Sequence, residues 1–205
     1  MQPTSLRLER LTVGELEAVD LNVGPGDIVC LSGASGSGKS RLLRAVADLE
    51  PHGGEVWLAD QAQSTIPAHR WRRQVMLVPA ESQWWTDHIG EHFSDGVEDG
   101  DLEALGFERE VMSWQVGRLS TGEKQRLSLL RAVSREPRVL LLDEPTANLD
   151  DATRDRVENW LASRIESRGW PTLWVAHDKG QIVRVANRHL RIEGSRLLVQ
   201  EAAWM

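Results

Sequence analysis

Eight consecutive residues, Gly33-Ala34-Ser35-Gly36-Ser37-Gly38-Lys39-Ser40, fit the pattern G-x-x-x-x-G-K-[ST]. Glycines let such a loop curl until successive backbone N–H groups point inward, and the N-terminus of a following helix adds about half a positive charge. The chemistry this serves is the holding of phosphate. Lys39 is placed to bridge the β- and γ-phosphates of a triphosphate, and the Ser40 hydroxyl to ligate Mg²⁺. Arg41 follows directly and completes the candidate binding set on this side.

A phosphate loop needs a metal-holding acid on a neighbouring strand. The run Val139-Leu140-Leu141-Leu142 ends in Asp143 and Glu144 and supplies it. Neighbouring strand residues point apart, so the two carboxylates take separate jobs. Asp143 fits holding Mg²⁺ through its hydration shell, and Glu144 fits a general base that polarises an attacking water.

A third stretch is Leu119-Ser120-Thr121-Gly122-Glu123-Lys124-Gln125-Arg126. Ser120 and Glu123 read as a capping box opening a helix. The free N–H groups at such a start also suit an anion, and this start lies apart from the first loop. A second anion site invites a second chain.

The elements around these motifs are those of an α/β protein. Residues 5 to 32 alternate between turn signals, which predicts strands, the last one feeding the glycine loop. Leu42, Leu43, Val46 and Leu49 predict a helix from about Lys39 to Leu49. Strands are expected at Glu55–Leu58 and Gln74–Val78, and the apolar run at Val139–Leu142 reads as a central parallel strand buried on both faces. Helices are expected from about Thr121 to Arg135 and Asp151 to Glu166, then a strand at Thr172–Ala176, a short helix and two terminal strands. Strands alternating with helices imply right-handed crossovers, a mostly parallel sheet and ligands at the strands' carboxyl ends. The acidic, glycine-containing stretch from 84 to 118 reads as a small helical lobe.

Composition sets the outer bounds. The chain of 205 residues, 40% hydrophobic and 27% charged, is large enough for one α/β domain. A net charge of -7 leaves no basic footprint for nucleic acid, and the run Arg70, Arg72, Arg73 reads as a solvated patch. The one cysteine, Cys30, excludes an internal disulfide and reads as a small buried strand residue. Met1-Gln2-Pro3-Thr4 lacks a signal-peptide layout and no stretch nears 18 apolar residues, so the expectation is a cytosolic protein whose membrane-spanning partner, if it has one, is a separate chain.

The ordered series GASGSGKS, LSTGEKQR and LLLDEPTANLD, then His177-Asp178 after an apolar strand, resembles the ATP-binding cassette ATPase family from about residue 5 to 195. The resemblance implies a P-loop NTPase fold over 1–205: a mostly parallel sheet flanked by helices, an N-terminal antiparallel β subdomain, and a short helical subdomain at about 84–135. It implies ATP and Mg²⁺ as ligands and a head-to-tail pair of identical chains, with each ATP between one chain's phosphate loop and the other's signature. Ser120 and Gly122, with Glu123 in the signature's glutamine place, would then meet the γ-phosphate of the partner's ATP. Ala147–Asp150 resembles the loop linking the two sites, and His177 the switch histidine on the γ-phosphate. The function implied is ATP hydrolysis that powers a separate transmembrane permease subunit, the protein lying on the cytoplasmic face of the membrane. The alternative is a cassette ATPase of a regulatory, division-type or mechanical complex; the absence of a coiled-coil insertion or a second cassette favours transport.

Two positions depart from the family's pattern. Ala80 falls where a glutamine is expected to contact Mg²⁺ and water, and alanine ligates nothing. The family's adenine-stacking aromatic is missing too: the chain has no Tyr and residues 5 to 30 hold no aromatic, which leaves Val13 as an apolar substitute and GTP as a possible second substrate. The lobe between Ala80 and Leu119 is shorter than a typical transporter subunit's, and Trp84 and Trp85 at its start are either core anchors or a docking surface for a membrane partner. If Glu81 or Gln83 takes over the missing glutamine's role, Glu81→Ala or Gln83→Ala lowers Mg²⁺-dependent ATPase activity. Wild-type rates in both variants reject any replacement.

Overall fold

The computed structural model describes residues 4–94 and 96–200. Two antiparallel strands come first, β1 (Leu6–Val13) and β2 (Leu16–Val23), followed by β3 (Ile28–Gly33) and helix α1 (Lys39–Val46). A second pair, β4 (Gly53–Leu58) and β5 (Gln61–Ala62), precedes α2 (Ala68–Gln74) and β6 (Val75–Val78). After the lobe come α4 (Thr121–Val133), β7 (Val139–Asp143), α5 (Asp151–Arg168), β8 (Thr172–Val175), α6 (Lys179–Val185), β9 (Arg188–Glu193) and β10 (Arg196–Gln200). The lobe itself holds one short helix, α3 (Asp99–Ala104), and 3-10 turns at Ile89–His92, Arg109–Ser113 and Val116–Arg118.

The strands form two sheets. One is antiparallel, in the order β2-β1-β4-β5; the other runs β10-β9-β3-β8-β7-β6 and is parallel except for the β9–β10 hairpin. Period-2 alternation divides the second sheet's residues between two cores. Ile28, Cys30, Leu140, Leu142 and Trp174 face α4, α5 and the lobe; Val29, Leu31, Val139, Leu141, Leu173 and Val175 face α1 and the antiparallel sheet. The expected burial of Val139–Leu142 on both faces is borne out, each residue being 0% exposed. Cys30 is buried as expected, and burial first, then nearby Glu158, pushes its thiol up to about 12.

Several boundaries differ from the sequence reading. Helix α1 stops at Val46, where Ala47 caps it, and Leu49 stands 51% exposed beyond the end. Helix α2 occupies a stretch read only as a basic patch. Its one apolar anchor, Trp71, is fully buried and donates Nε1–H to the Val46 carbonyl at 2.9 Å, while Arg72 and Arg73 face outward. A single buried tryptophan in seven residues is too little periodicity to show a helix. In the lobe, tertiary packing of Ile89, Leu102, Leu105, Phe107 and Val111 holds short turns that local propensity alone would not.

Candidate active site

Three adjacent parallel strands carry the chemistry. The phosphate loop leaves the end of β3, His177 lies two residues past the end of β8, and Asp143 and Glu144 lie at the end of β7; the order β3-β8-β7 puts all of them on one edge. That edge is fixed by hydrogen bonds across it. Ala176 N–H donates to Leu31 O at 3.0 Å, and Glu144 N–H to Val175 O at 3.2 Å.

Gly33–Ser40 curls into α1 as the glycine spacing predicts. Gly36 has φ +78, and a Cβ added there would meet nothing within 4 Å, so its face is open for a ligand to approach. Ala34, Ser35 and Gly36 are exposed at the loop's crest, with Ser37, Gly38 and Ser40 half-buried below. Lys39 is 6% exposed and donates Nζ–H to the Gly33 and Ala34 carbonyls at 3.0 and 2.9 Å. Burial lowers its proton affinity most, while Glu144 and Asp143 push it back up.

Asp143 is 8% exposed, and its Oδ1 is buried without a hydrogen-bond partner; the Ser37 hydroxyl is likewise unpaired. Such a carboxylate oxygen beside a phosphate loop fits a cation. Asp143 and Ser40 are the residues that fit Mg²⁺, as hard oxygen donors. Glu144 is a non-glycine residue at φ +49, a backbone state that an L side chain adopts at a cost and that clusters at working sites. Its Oε1 lies 2.9 Å from His177 Nε2, so the structure brings together two residues that the sequence could only nominate separately.

Behind this pair runs a buried polar network that the sequence reading missed. Thr146 Oγ1 accepts from Gln181 Nε2 at 2.6 Å, and the same amide donates to Glu158 Oε1 at 2.8 Å. Glu158, 3% exposed, is held in turn by Arg184 Nε at 2.8 Å. The chain ties the segment after Glu144 to α5 and to α6, which opens on Asp178 beside His177. Its members lie on three separate elements, and only a buried Glu on the apolar face of α5 hinted at it.

Ser120 and Gly122 sit at the start of α4, and the capping box is present. Glu123 Oε2 accepts from the Ser120 N–H at 2.8 Å and hydroxyl at 2.7 Å, and Ser120 Oγ accepts from Glu123 N–H at 3.3 Å. These bonds hold the Glu123 carboxyl below its usual range. A methyl on Gly122 would come within 3.2 Å of Leu149 Cδ2, so this helix start abuts the Ala147–Asp150 loop. Among the described residues no hydrogen bond or ion pair joins the start of α4 to the Gly33–Ser40 loop. Ala147, Asn148, Ser120 and Thr121 are all exposed. Ala80 follows β6 by two residues; Glu81 and Gln83 are exposed, and the Gln83 carbonyl accepts from Arg131 Nη1 at 3.0 Å. Val13 is 4% exposed and turned into the core, so it presents no platform to a ligand. Trp84 packs on the core, whereas Trp85 is 62% exposed; Arg131 lies over both rings.

A parallel sheet with a phosphate loop after one strand and two carboxylates ending another defines a P-loop protein of the NTPase class. The chain belongs to the ABC transporter family, whose model matches residues 16–147. It is 34% identical over 200 residues to "Aliphatic sulfonates import ATP-binding protein SsuB 1" of Pseudomonas fluorescens, covering 95% of this chain and 74% of the relative. It is 36% identical over 196 residues to "Fe(3+) ions import ATP-binding protein FbpC" of Streptomyces avermitilis, covering 89% of this chain but 56% of that longer relative. In fold it matches a chain in "Structure of a bacterial Atm1-family ABC exporter with ATP bound", at a TM-score of 0.83 and 22% identity, over 96% of this chain and 38% of the other.

Removing the Glu158 carboxylate leaves Gln181 and Arg184 without their shared acceptor. Glu158→Ala is expected to destabilise the fold by about 2 kcal/mol, because the buried Gln181 amide loses an acceptor while the Arg184 side chain, 42% exposed, turns to water. Urea unfolding of the variant measures this, and a loss below about 1 kcal/mol would show that the network is not holding the site.

Proposed function

We propose that this chain is the ATP-binding and ATP-hydrolysing subunit of a transporter, working as a head-to-tail pair beneath a separate membrane-spanning permease subunit. The observation that carries the reading is the 2.9 Å contact of Glu144 and His177 beside a buried Lys39 and an unpaired Asp143 oxygen. Residues 1–205 form one nucleotide-binding domain in this reading, with residues 1–3, 95 and 201–205 outside those described.

The phosphate-loop amides and Lys39 bind the β- and γ-phosphates, and Arg41 follows in the same turn. Ser40 and Asp143 hold Mg²⁺, which supplies charge neutralisation at the phosphates when bound. Glu144 takes a proton from water as its oxygen attacks the γ-phosphorus in line; the bond to the bridging oxygen breaks, giving ADP and phosphate. His177 keeps Glu144 aimed. Catalysis is then positioning plus preorganised electrostatics.

Among the described residues no hydrogen bond or ion pair joins the signature to the phosphate loop of the same chain, and Ser120 is exposed. A second copy completes the site: Ser120, Gly122 and Glu123 of one chain meet the γ-phosphate held by Lys39 of the other. ATP binding drives closure and hydrolysis releases it. Among the described residues no helix is long and apolar enough to cross a membrane, which supports a separate permease and a peripheral place on the cytoplasmic face. Exposed Trp85 and the cleft of about 570 Å³ lined by His69, Arg72, Arg73, Met76, Ser94 and Arg135 offer that permease a docking surface.

Glu144→Gln keeps the side-chain shape without its basicity. ATP turnover is expected to fall on the order of 100-fold, with ATP-dependent dimers accumulating in light scattering. Adding Ser120→Glu should abolish those dimers. Full turnover in Glu144→Gln rejects the base assignment, and dimers that survive Ser120→Glu reject the shared site.

A further inference from the structure

The position of Glu144 and His177 sets which way a bound nucleotide runs. Both lie on the β8–β7 side of the phosphate loop; on the other side of β3 stand β9 and β10. The β9–β10 turn meets β2 there, with Glu17 N–H donating to Ser195 O at 2.9 Å. A triphosphate whose last phosphate faces Glu144 therefore carries its nucleoside away from that pair, over the start of α1 and toward the β1–β2 turn. That turn leans on the loop: Leu16 Cδ1 lies 3.3 Å from where a Cβ on Gly38 would stand.

Among the described residues no Phe or Trp ring stands at that end; the His52 imidazole, beside the Gly53–Thr12 pair, is held by Gln63 Oε1 at 3.1 Å. Val13 and Leu16 are 4% and 1% exposed and face inward. Trp57 pairs with Arg7 near the start of β1, far along the strand from the turn, and is tied to Glu9 by a 2.8 Å hydrogen bond. The planar group that lies against the turn residue Gly14 itself is the guanidinium of Arg41. Its side chain is 49% exposed, its Nε donates to Glu50 Oε1 at 2.5 Å, and it lies so close to Gly14 that a Cβ there would stand 2.7 Å from Cζ. Gly14, at φ +59, leaves the guanidinium that room. Glu50 is shared with Arg44 at 3.1 Å, so one carboxylate steadies both cations.

We propose that Arg41 is the platform for the nucleotide base, its guanidinium plane stacking on the purine where an aromatic ring is missing. The inference rests on the nucleotide-binding reading above and deepens it. A guanidinium stacks on any purine face and reads none of its edges, so the site accepts ATP and GTP nearly alike. It acts on the base end, whereas Lys39 and the loop amides act on the phosphates, and the two contributions separate experimentally.

Calorimetric titration of the purified chain with Mg²⁺ complexes of ATP, GTP and inorganic tripolyphosphate, for wild type, Arg41→Ala and Arg41→Lys, tests this. Loss of one stacked base weakens ATP and GTP binding by about tenfold in Arg41→Ala, with tripolyphosphate changed less than about twofold. Arg41→Lys keeps the charge without the plane and is expected to lose as much as alanine. Equal losses for tripolyphosphate, or full nucleotide affinity in Arg41→Lys, place Arg41 on the phosphates and overturn the proposal. Wild-type protein that binds none of the three instead overturns the nucleotide-site reading. Circular dichroism checks that each variant is folded; should Arg41→Ala not fold, Arg41→Lys alone decides.

Discussion

The arrangement depends on a buried charge balance at the carboxyl edge of the parallel sheet. Lys39 is nearly enclosed, and burial alone would favour its neutral form; the carboxylates of Glu144 and Asp143 counter that. Until a phosphate arrives, the ammonium is satisfied by two loop carbonyls, while one Asp143 oxygen has no partner at all. Both groups are thus held in a low-dielectric edge in a state that an anion and a cation together would relieve. The strand order β3-β8-β7 sustains this, because β7 and β8 are buried throughout and β3 is buried through Leu31, just short of its loop.

Much of this was legible in the sequence, for a physical reason. Phosphate loops and strand-end carboxylates are local devices whose residue types and spacing are set by backbone geometry, so Gly33–Ser40 and Asp143–Glu144 announce themselves. The capping box at Ser120 and Glu123 is local too, and it is present as expected. What the sequence hides is contact between distant segments. The Glu144–His177 contact joins residues 33 positions apart, and the Thr146–Gln181–Glu158–Arg184 network spans three elements. The position of Arg41 was visible from its place after Ser40, but its seat on Gly14 was not, because that contact depends on how the antiparallel sheet folds over α1.

Secondary structure failed where tertiary packing overrides periodicity. Leu49 continues the apolar spacing of α1, yet the helix ends three residues earlier, and the side chain stands in solvent. Helix α2 had the opposite problem: a polar, arginine-rich segment is held helical by the single indole of Trp71 reaching the Val46 carbonyl. Val13 ends β1 at the turn, yet it is packed into the core with Leu11 and Leu16.

The site is built unevenly. At the end of β7, Glu144 is braced by His177, and a buried network anchors the next segment to α5 and α6. The start of α4 and the Ala147–Asn148 turn, which touch each other through Gly122 and Leu149, lie in solvent. At Ser120, the donors that an incoming phosphate would use are occupied by Glu123's own carboxylate, a contact that keeps the helix start ordered without a ligand and that any anion must displace. Side-chain bracing therefore sits around Glu144, and exposure sits at the start of α4 and the Ala147–Asn148 turn. The proposed head-to-tail pair rests on this asymmetry: among the described residues no hydrogen bond or ion pair brings Ser120 to Lys39 within one chain, so a second copy is the source of donors that the proposal requires.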